Sequence, residues 1–551
     1  MNKIKGGREK QRAAQQPSAE SLEISRREFL ALLSSSSATV ALAACNSADS
    51  PSSSSQVVTT SAKPPELIYA SATALAKAIR AKQVSSEEVV NAYLQRIEIV
   101  NPKLNAVVQL TAEAARAQAR EADTALARGE LKGPLHGVPV TIKDNIETAG
   151  VICTSGTKGR ASFVPAQDAT VVARLRAAGA IVLGKTNLPE LGLGVETDNL
   201  VYGRTNNPYD PLRISGGSSG GEAAIIAAGG SPLGIGNDGG GSIRSPSHFC
   251  GIAGIKPTSG RVPRTGHFPG PGGPLDAVWQ PGPMARFVED LILTLPIIAG
   301  VDGHDPAIVP MPLSDPRAVD LKSLRVAFYT QLPLTFDKST LEVLRKTTKM
   351  LSDADSMIVS PTLETAETVR KAAKVLADAG MAVEEDRPPG SEQSLDLWYR
   401  LSAADGGAGL KMFLHLIGTT EVHPIMQGVF DSWPTYAMST TEFIGWMFRW
   451  DMFRSAMLSF MDKYDVVLCP VNAYPAPLHG ISFDTAKFPG FVYPMTYNLT
   501  GWPAVVVRCS ASPEGLPIGV QIVARPWRED VALAVAQHIE TALGGWQRPP
   551  L

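Results

Sequence analysis

The chain has 551 residues, 44% of them hydrophobic, and a formal net charge of −2, so it can bury a large core or several ordinary ones. The near-neutral charge argues against a nucleic-acid partner, because such proteins usually carry a basic patch or a high isoelectric point. Its five cysteines form no C-x-x-C pair and the chain has no H-E-x-x-H pattern, so we expect no metal site.

The first 45 residues have the pattern of an export signal. S-R-R-E-F-L at residues 25–30 resembles the twin-arginine signal, and the apolar run after it is too short and too rich in serine to span a membrane. L-A-A-C, ending at Cys45, resembles a lipobox, in which the cysteine is lipidated and becomes the mature N-terminus. We therefore expect export by the twin-arginine route and a lipid anchor at Cys45, in the periplasm or on the cell surface. An ordinary secretory peptide cleaved near Ala44 stays the alternative.

Residues 46–65 are rich in Ser, Ala, Thr and Pro, which is typical of a flexible tether. From residue 66 to residue 551 the chain has the composition of a globular domain, and it contains no internal repeat. Twin-arginine systems export folded proteins, so the other four cysteines need not form disulfides.

Helical and strand patterns alternate along the first half of this domain. VSSEEVVNAYLQRIEIVNP predicts a helix with a capping box formed by Ser85 and Glu88, stopped by Asn101-Pro102. AEAARAQAREADTALARG predicts a second helix, and GVPVTIKDN predicts a buried strand that ends at Lys143. Farther on, EAAIIAAGG predicts a helix and SPLGIGND a strand. This alternation indicates an α/β domain around a largely parallel or mixed sheet.

The region from about 330 to 440 is less regular, with helical patterns such as ETVRKAAKVLADAGMAVEED. Residues 433–460 then concentrate aromatic side chains. These residues either pack a helical core or form the wall of an apolar substrate pocket, and both interpretations stay open. KYDVVLCPV and GLPIGVQIVA predict two further core strands, and EDVALAVAQHIETAL predicts a final helix.

Two glycine-rich turns, GGSSGGE at 216–222 and DGGGSIR at 238–244, each carry serine. Neither has the lysine of a phosphate-binding loop. Residues 217–221 match the G-x-S-x-G elbow of α/β-hydrolases with Ser219 as nucleophile, but the preceding segment is polar and contains two prolines where that fold needs a strand. His479 or His538 would have to supply its histidine. The S-x-x-K match at residues 155–158 lacks the accompanying K-T-G.

A serine–lysine arrangement uses both turns. Serine is a weak nucleophile that needs a base, and a lysine can be that base only when desolvation keeps it neutral. Lys143 follows an apolar run that can provide this setting. A second serine could relay the proton, and the glycines beside the nucleophile expose backbone N–H groups that can bind an oxyanion.

The residues 216–258, GGSSGGEAAIIAAGGSPLGIGNDGGGSIRSPSHFCGIAGIKPT, resemble the diagnostic stretch of the amidase signature family. GVPVTIKDN resembles the segment that carries that family's lysine, and YNLTGWPAVVV and GLPIGVQIVA resemble its closing strands. The resemblance covers about residues 66–551 and is weakest between 310 and 440. It implies an α/β fold with a large twisted mixed sheet flanked by helices, and a mainly helical, variable substrate-side region at about 330–440.

The resemblance also implies a role for each site residue. Ser242 would be the acylated nucleophile, Ser218 a bridging serine held by a cis peptide after Gly217, and Lys143 the base. The oxyanion would be bound by backbone N–H groups of Gly239, Gly240, Gly241 and Ser242. Supporting residues would be Ser219, Asp238 and Arg244. The alternatives are a plain ion pair for Asp238 and Arg244, and a helix N-cap for Ser219.

One position departs from the family pattern. Gly239 stands where the family usually has a bulky aliphatic residue. The missing side chain could widen the acyl pocket or loosen the turn, and we expect a broad range of acyl groups.

The expected function is hydrolysis of a carboxylic amide by an acyl-enzyme, with no metal and no cofactor. The expected partner is a small-molecule amide, apolar or aromatic. A C-terminal peptide amidase, an aryl acylamidase, an esterase and a non-catalytic binding lipoprotein are the alternatives, and a homodimer stays open. Three histidines near the motifs are expected to be structural: His136, His248 and His267.

Overall fold

A computed structural model describes residues 67–270, 276–336, 356–484 and 487–551. The predicted export signal, the lipidation site at Cys45 and the tether lie outside the described residues. Within these ranges, no helix is both long and apolar enough to cross a membrane.

Most strands of the described chain join one mixed sheet of 11 strands, in the order β1-β3-β2-β4-β6-β5-β12-β13-β11-β7-β10. The strands are β1 (Val107–Leu110), β2 (Pro139–Lys143), β3 (Ile181–Thr186), β4 (Leu233–Asp238), β5 (Ala253–Lys256), β6 (Gln280–Ala285), β7 (Arg325–Phe328), β8 (Leu332–Thr335), β9 (Ser356–Val359), β10 (Ala382–Glu385), β11 (Val466–Pro470), β12 (Ala504–Ala511) and β13 (Pro517–Ala524). β8 and β9 form a separate antiparallel pair.

Helices flank this sheet, which confirms the predicted α/β class. The helices are α1 (Ala72–Arg80), α2 (Ser86–Leu104), α3 (Ala112–Ala127), α4 (Thr170–Ala177), α5 (Gly220–Ala227), α6 (Arg244–Cys250), α7 (Val288–Ile298), α8 (Leu363–Asp378), α9 (Ser394–Ser402), α10 (Ala408–Leu416), α11 (Pro424–Ser432), α12 (Thr440–Phe460), α13 (Val492–Leu499) and α14 (Glu529–Leu543).

Helix α2 confirms one local prediction and corrects another. Its capping box is present, because the Ser85 hydroxyl accepts the backbone N–H of Glu88 and the Glu88 carboxylate accepts the N–H of Ser85. The predicted stop at Asn101-Pro102 is wrong by about one turn. The helix includes Pro102 and ends before Asn105, whose left-handed backbone (φ 50°) breaks the helical run.

The middle region is less purely helical than predicted. Its described residues include helices α8 to α11, but β8, β9 and β10 lie there too, and β10 joins the main sheet beside β7. The sequence AVEE has three of its four residues exposed, so the burial pattern that reveals inner strands is absent.

Strand geometry places predicted site residues together at the carboxyl ends of two inner strands. β2 and β4 are parallel neighbours, and Lys143 and Asp238 are their last residues. Since the carboxyl ends of parallel neighbours lie at the same sheet edge, these side chains are brought together. Helix α5 begins directly after Ser218 and Ser219 and delivers the serine turn to the same edge.

Candidate active site

The Lys143 amine lies at the centre of a buried polar cluster. Its Nζ lies 2.6 Å from Ser218 Oγ, 3.0 Å from Ser219 Oγ and 2.7 Å from Asn237 Oδ1. All four side chains are buried. A buried amine needs hydrogen-bond partners to offset lost hydration, and this one has three.

Asn237 was not among the predicted site residues. The residue is the last but one of β4, and its amide donates to Asn145 Oδ1 at 3.0 Å, which turns its own Oδ1 towards Lys143. A buried asparagine at the end of an otherwise apolar strand was the available signal, because such a side chain must find polar partners.

Burial is the dominant influence on the lysine. Desolvation holds the pKa of Lys143 well below its usual value, and the negative charges of Asp238 and Glu222 only partly oppose this. Glu222 is itself fully buried, and desolvation raises its pKa to about 7, against the hydroxyl groups of Thr141 and Thr186 that donate to it. The environment therefore favours a neutral amine, the form that can accept a proton.

An internal ion pair shapes the turn that carries Ser242. Arg244 Nε and Nη2 each donate to the Asp238 carboxylate at 2.9 Å, and both side chains are fully buried. Burial alone would raise the pKa of Asp238, but the charge of Arg244 and hydrogen bonds from Arg244 and Asn498 outweigh it and hold that pKa well below its usual range. The pair is structural and at the same time fixes the geometry beside Ser242, the predicted nucleophile.

The Asp238 carboxylate also accepts backbone N–H groups of the turn, from Gly241 at 2.8 Å and from Ile243 at 3.1 Å. The prediction that Gly241 donates to the oxyanion therefore needs correction, because its N–H already has a partner. Within the described ranges, the N–H groups of Gly239, Gly240 and Ser242 donate to no protein acceptor.

The two glycine-rich turns are in direct contact. The N–H of Ser219 donates to the carbonyl oxygen of Ser242 at 3.1 Å, and the peptide bond between Gly217 and Ser218 is cis. The Ser219 side chain does not cap α5. Its Oγ instead donates to the carbonyl oxygen of Asn237 at 3.2 Å and lies next to Lys143. The supporting role predicted for Ser219 fits this geometry better than an N-cap does.

Ser242 opens onto a cavity of about 850 Å³. Ser242 is partly exposed, whereas Ser218 and Lys143 are buried behind it. The cavity lies between the glycine-rich turns, the segment around Leu191, and helices α9 to α11, and aromatic side chains contribute much of its wall. These aromatic residues are Trp279, Phe336, Trp398, Tyr399, Phe413, Trp433, Tyr436, Phe483, Phe488 and Phe491.

The aromatic segment divides between a cavity wall and a helical core, and a role of that wall in substrate binding stays a prediction. Trp433 and Tyr436 line the cavity. In α12 the buried residues Trp450, Phe453 and Phe460 pack into a hydrophobic core.

The space beside Gly239 is filled. A Cβ atom at this position would lie 2.5 Å from Cδ1 of Trp279, much closer than a normal contact. The expectation that the missing side chain leaves a widened pocket is therefore wrong, because an indole from another part of the chain occupies that volume.

The other serine motifs do not assemble into sites. The hydroxyl of Ser155 donates to the carbonyl oxygen of Phe268, whereas Lys158 pairs with Glu421 at the surface. His479 lies beside the carbonyl oxygen of Pro211. The described residues contain no group of three or more His, Cys, Asp or Glu side chains that could hold a metal ion.

The histidines near the motifs have backbone partners. His136 Nε2 lies 3.0 Å from the carbonyl oxygen of Ala122, and His248 Nδ1 accepts the N–H of Gly519 at 2.9 Å. Burial lowers the pKa of His248 to about 4 and that of His267 to about 3, so both are neutral near pH 7.

A family model described as Amidase matches residues 88–367 and 354–533. The chain is 34% identical to a component of the glutamyl-tRNA(Gln) amidotransferase of Carboxydothermus hydrogenoformans, covering 86% of this chain and 97% of that protein. It is 33% identical to human fatty-acid amide hydrolase 2, covering 88% of this chain and 91% of the relative.

Among solved structures, the chain is similar to 6-aminohexanoate cyclic dimer hydrolase complexed with substrate. The TM-score is 0.74 at 28% identity, over 88% of this chain and 99% of that one. These similarities support the conclusion that the chain is an enzyme that hydrolyses amide C–N bonds. The chain belongs to the amidase signature family.

Proposed function

We propose that the chain is an amidase that forms an acyl-enzyme on Ser242, with Lys143 as the base and Ser218 as the proton relay. Backbone N–H groups of Gly239, Gly240 and Ser242 stabilise the oxyanion in this proposal. Amide hydrolysis itself rests on membership of the family, and the pairing of Lys143 with Ser218 rests on the geometry. The role of Ser242 rests on the resemblance of its motif and on its position at the cavity.

The observation that carries the proposal is the set of hydrogen bonds at the Lys143 amine. A neutral amine has two N–H donors and one lone pair. Asn237 Oδ1 can only accept, and the Ser219 hydroxyl already donates to a carbonyl oxygen, so these two atoms take the two N–H groups. The lone pair is then left for the hydroxyl of Ser218, 2.6 Å away.

This arrangement supports a balanced reaction. Ser242 Oγ attacks the amide carbonyl carbon as its proton passes to Ser218 Oγ, and the proton of Ser218 passes to Lys143 Nζ. The oxyanion then re-forms the carbonyl and the C–N bond breaks, while the proton returns through Ser218 to the leaving nitrogen. Water attacks the resulting ester by the same relay, releasing the carboxylic acid and regenerating Ser242.

The cavity supports an apolar or aromatic small-molecule amide as substrate. Among its described lining residues there is no Lys, Arg or His, and the only carboxylates are Asp276 and Asp405. Such a wall favours neutral groups over anionic ones. C-terminal peptide amides, aryl acylamides and esters are the alternative substrates, and no cofactor takes part.

We also propose that the protein acts outside the cytoplasm, anchored by a lipid at Cys45. The support is the sequence of residues 25–45 alone. Export would argue against a role like that of the glutamyl-tRNA(Gln) amidotransferase relative, because it would separate the enzyme from charged tRNA. Radiolabelled palmitate should enter the wild type but not Cys45→Ala. Exclusive recovery of full-length, unlabelled wild type from the cytoplasm would contradict the proposal.

Fluorophosphonate labelling of the full chain tests the mechanism. Intact-mass analysis should show one adduct on the wild type and on Ser219→Ala, and none on Ser242→Ala. Labelling that survives Ser242→Ala but is lost in Ser219→Ala would contradict the proposal and indicate Ser219 as the nucleophile of a G-x-S-x-G elbow. A folded wild type that takes no label would favour a binding protein.

A further inference from the structure

The indole of Trp279 lies beside the turn that carries Ser242. Trp279 directly precedes β6, which runs antiparallel to β4 with Gln280 opposite Asp238. One residue further along this register, Trp279 comes opposite Gly239. The side chain is partly exposed and lines the cavity.

The indole and any side chain at position 239 exclude each other. A Cβ on Gly239 would lie 2.5 Å from Cδ1 of Trp279, which is an atom near the base of a rigid ring system. The buried imidazole of His267 packs edge-on against the indole, with ring centroids 5.2 Å apart. The imidazole thus holds the indole in place, and moving the indole to make room for a methyl group at position 239 would cost packing energy.

A second indole contacts the same turn. Trp398 of α9 donates its Nε1–H to the carbonyl oxygen of Gly239 at 3.4 Å, and its ring lies 3.5 Å from the position of a Cβ on Gly240. Two aromatic rings therefore contact the two glycines whose N–H groups face the reacting carbonyl in the proposed function. Both rings come from outside the two glycine-rich turns.

We propose that Trp279 determines which acyl groups reach Ser242, as the wall that a side chain at position 239 would otherwise form. Because a rigid ring next to the carbonyl leaves room for flat or unbranched groups, the acyl class is neutral aroyl or straight-chain rather than branched at the α-carbon. This inference rests on the acyl-enzyme at Ser242.

Acyl-group selectivity of the full chain tests the inference. The substrates are acetyl, benzoyl and 2,2-dimethylpropanoyl p-nitroanilides, and kcat/KM is measured for each. Trp279→Ala should raise the 2,2-dimethylpropanoyl-to-benzoyl ratio at least about tenfold. Trp279→Leu, a smaller change in volume, should move the ratio in the same direction. Trp446→Ala removes an indole outside the cavity and should leave the ratio unchanged.

A double-mutant cycle tests the pairing of the two positions. Gly239→Ala should slow hydrolysis of all three p-nitroanilides. Adding Trp279→Ala should restore much of the rate on acetyl p-nitroanilide, so the two effects are not additive. An unchanged ratio in both folded Trp279 variants, or additive effects in the cycle, would overturn the inference while fluorophosphonate still labels the wild type. A wild type that neither takes the label nor cleaves any anilide would overturn the proposed function as well.

Discussion

The base cluster and the cavity wall meet at Ser242 but are built in opposite ways. The base cluster comprises Lys143, Ser218, Ser219 and Asn237. It is buried, its hydrogen bonds are made to other protein groups, and it lies where β2 and β4 end beside the serine turn. The cavity wall comes largely from helices α9 to α11 and from loops, and its side chains are mostly apolar and many are partly exposed.

The difference separates the residues proposed for the chemical step from the residues proposed for substrate selection. In the proposed function, the fixed polar geometry serves a chemical step that is the same for every amide, whereas the apolar wall selects among amides. Variants in the base cluster should therefore lower turnover of all substrates together. Variants in the wall should change the ranking of substrates.

The largest effect is expected from Lys143→Met, which keeps the volume of the side chain but removes the base. General-base catalysis contributes about 10²–10⁴-fold, so kcat/KM should fall by at least that factor for every amide tested. The measurement is steady-state hydrolysis of a small amide and of a long one. Loss of activity on only one of them would break the comparison, since a base serves both.

A large effect on stability is expected from Arg244→Met. It leaves the Asp238 carboxylate buried without its cation, a change that typically costs about 3–5 kcal/mol. Because the folded pKa of Asp238 is depressed, the ion pair stabilises the fold above the unfolded pKa of about 4, and this stabilisation is lost as the pH falls through the folded value.

Urea unfolding at pH 7 measures this effect. The control is Lys374→Met, which removes an exposed ion pair with Asp378 and should leave the unfolding midpoint nearly unchanged. Equal midpoints for Arg244→Met and the wild type would show that the turn does not depend on the buried pair.

Much of the base cluster could be predicted from sequence, because its residues lie in short contiguous motifs. Lys143 ends an apolar strand and the serines lie in glycine-rich turns, which indicated a serine–lysine arrangement. The roles of Ser218 and Ser242 within it came from the resemblance to the amidase signature family. The α/β class followed from the alternation of helical and strand patterns. Asn237 needed one further step, the question of what a buried asparagine would bond to.

The wall could not be predicted in the same way. Trp279 reaches Gly239 only through the pairing of β6 with β4, and QPGPMA carries two prolines and no β-branched residue, so it does not look like a strand. Helices α9 to α11 have recognisable apolar faces, but periodicity does not say which of those faces borders a cavity. Long-range register, rather than local preference, places these residues.

An intermediate effect, dependent on pH, is expected from Asn237→Asp. A carboxylate in place of the amide oxygen, 2.7 Å from the amine, would stabilise the ammonium form and raise the pKa of Lys143. Because the neutral amine is the active form in the proposed mechanism, activity at pH 7 should fall about 10–100-fold and recover as the pH rises.

The pH profile of kcat/KM provides the measurement, with Asn237→Ala as the control. Removal of the acceptor without an added charge should give a deficit that alkaline pH does not repair. If the acid limb of Asn237→Asp coincided with that of the wild type, Lys143 would not be the titrating base.

The smallest effect is expected from Phe413→Ala, in the wall. Phe413 lines the cavity and packs against Phe268, with ring centroids 5.3 Å apart. Loss of its apolar contacts should lower kcat/KM for a long-chain or aryl amide about tenfold, mainly through KM, and leave an acetamide almost unchanged. A series of amides of increasing acyl length measures the ratio. A uniform loss across the series would mean that Phe413 supports the turn beside Ser242 rather than the substrate, and the separation between chemistry and selection would then not hold at this residue.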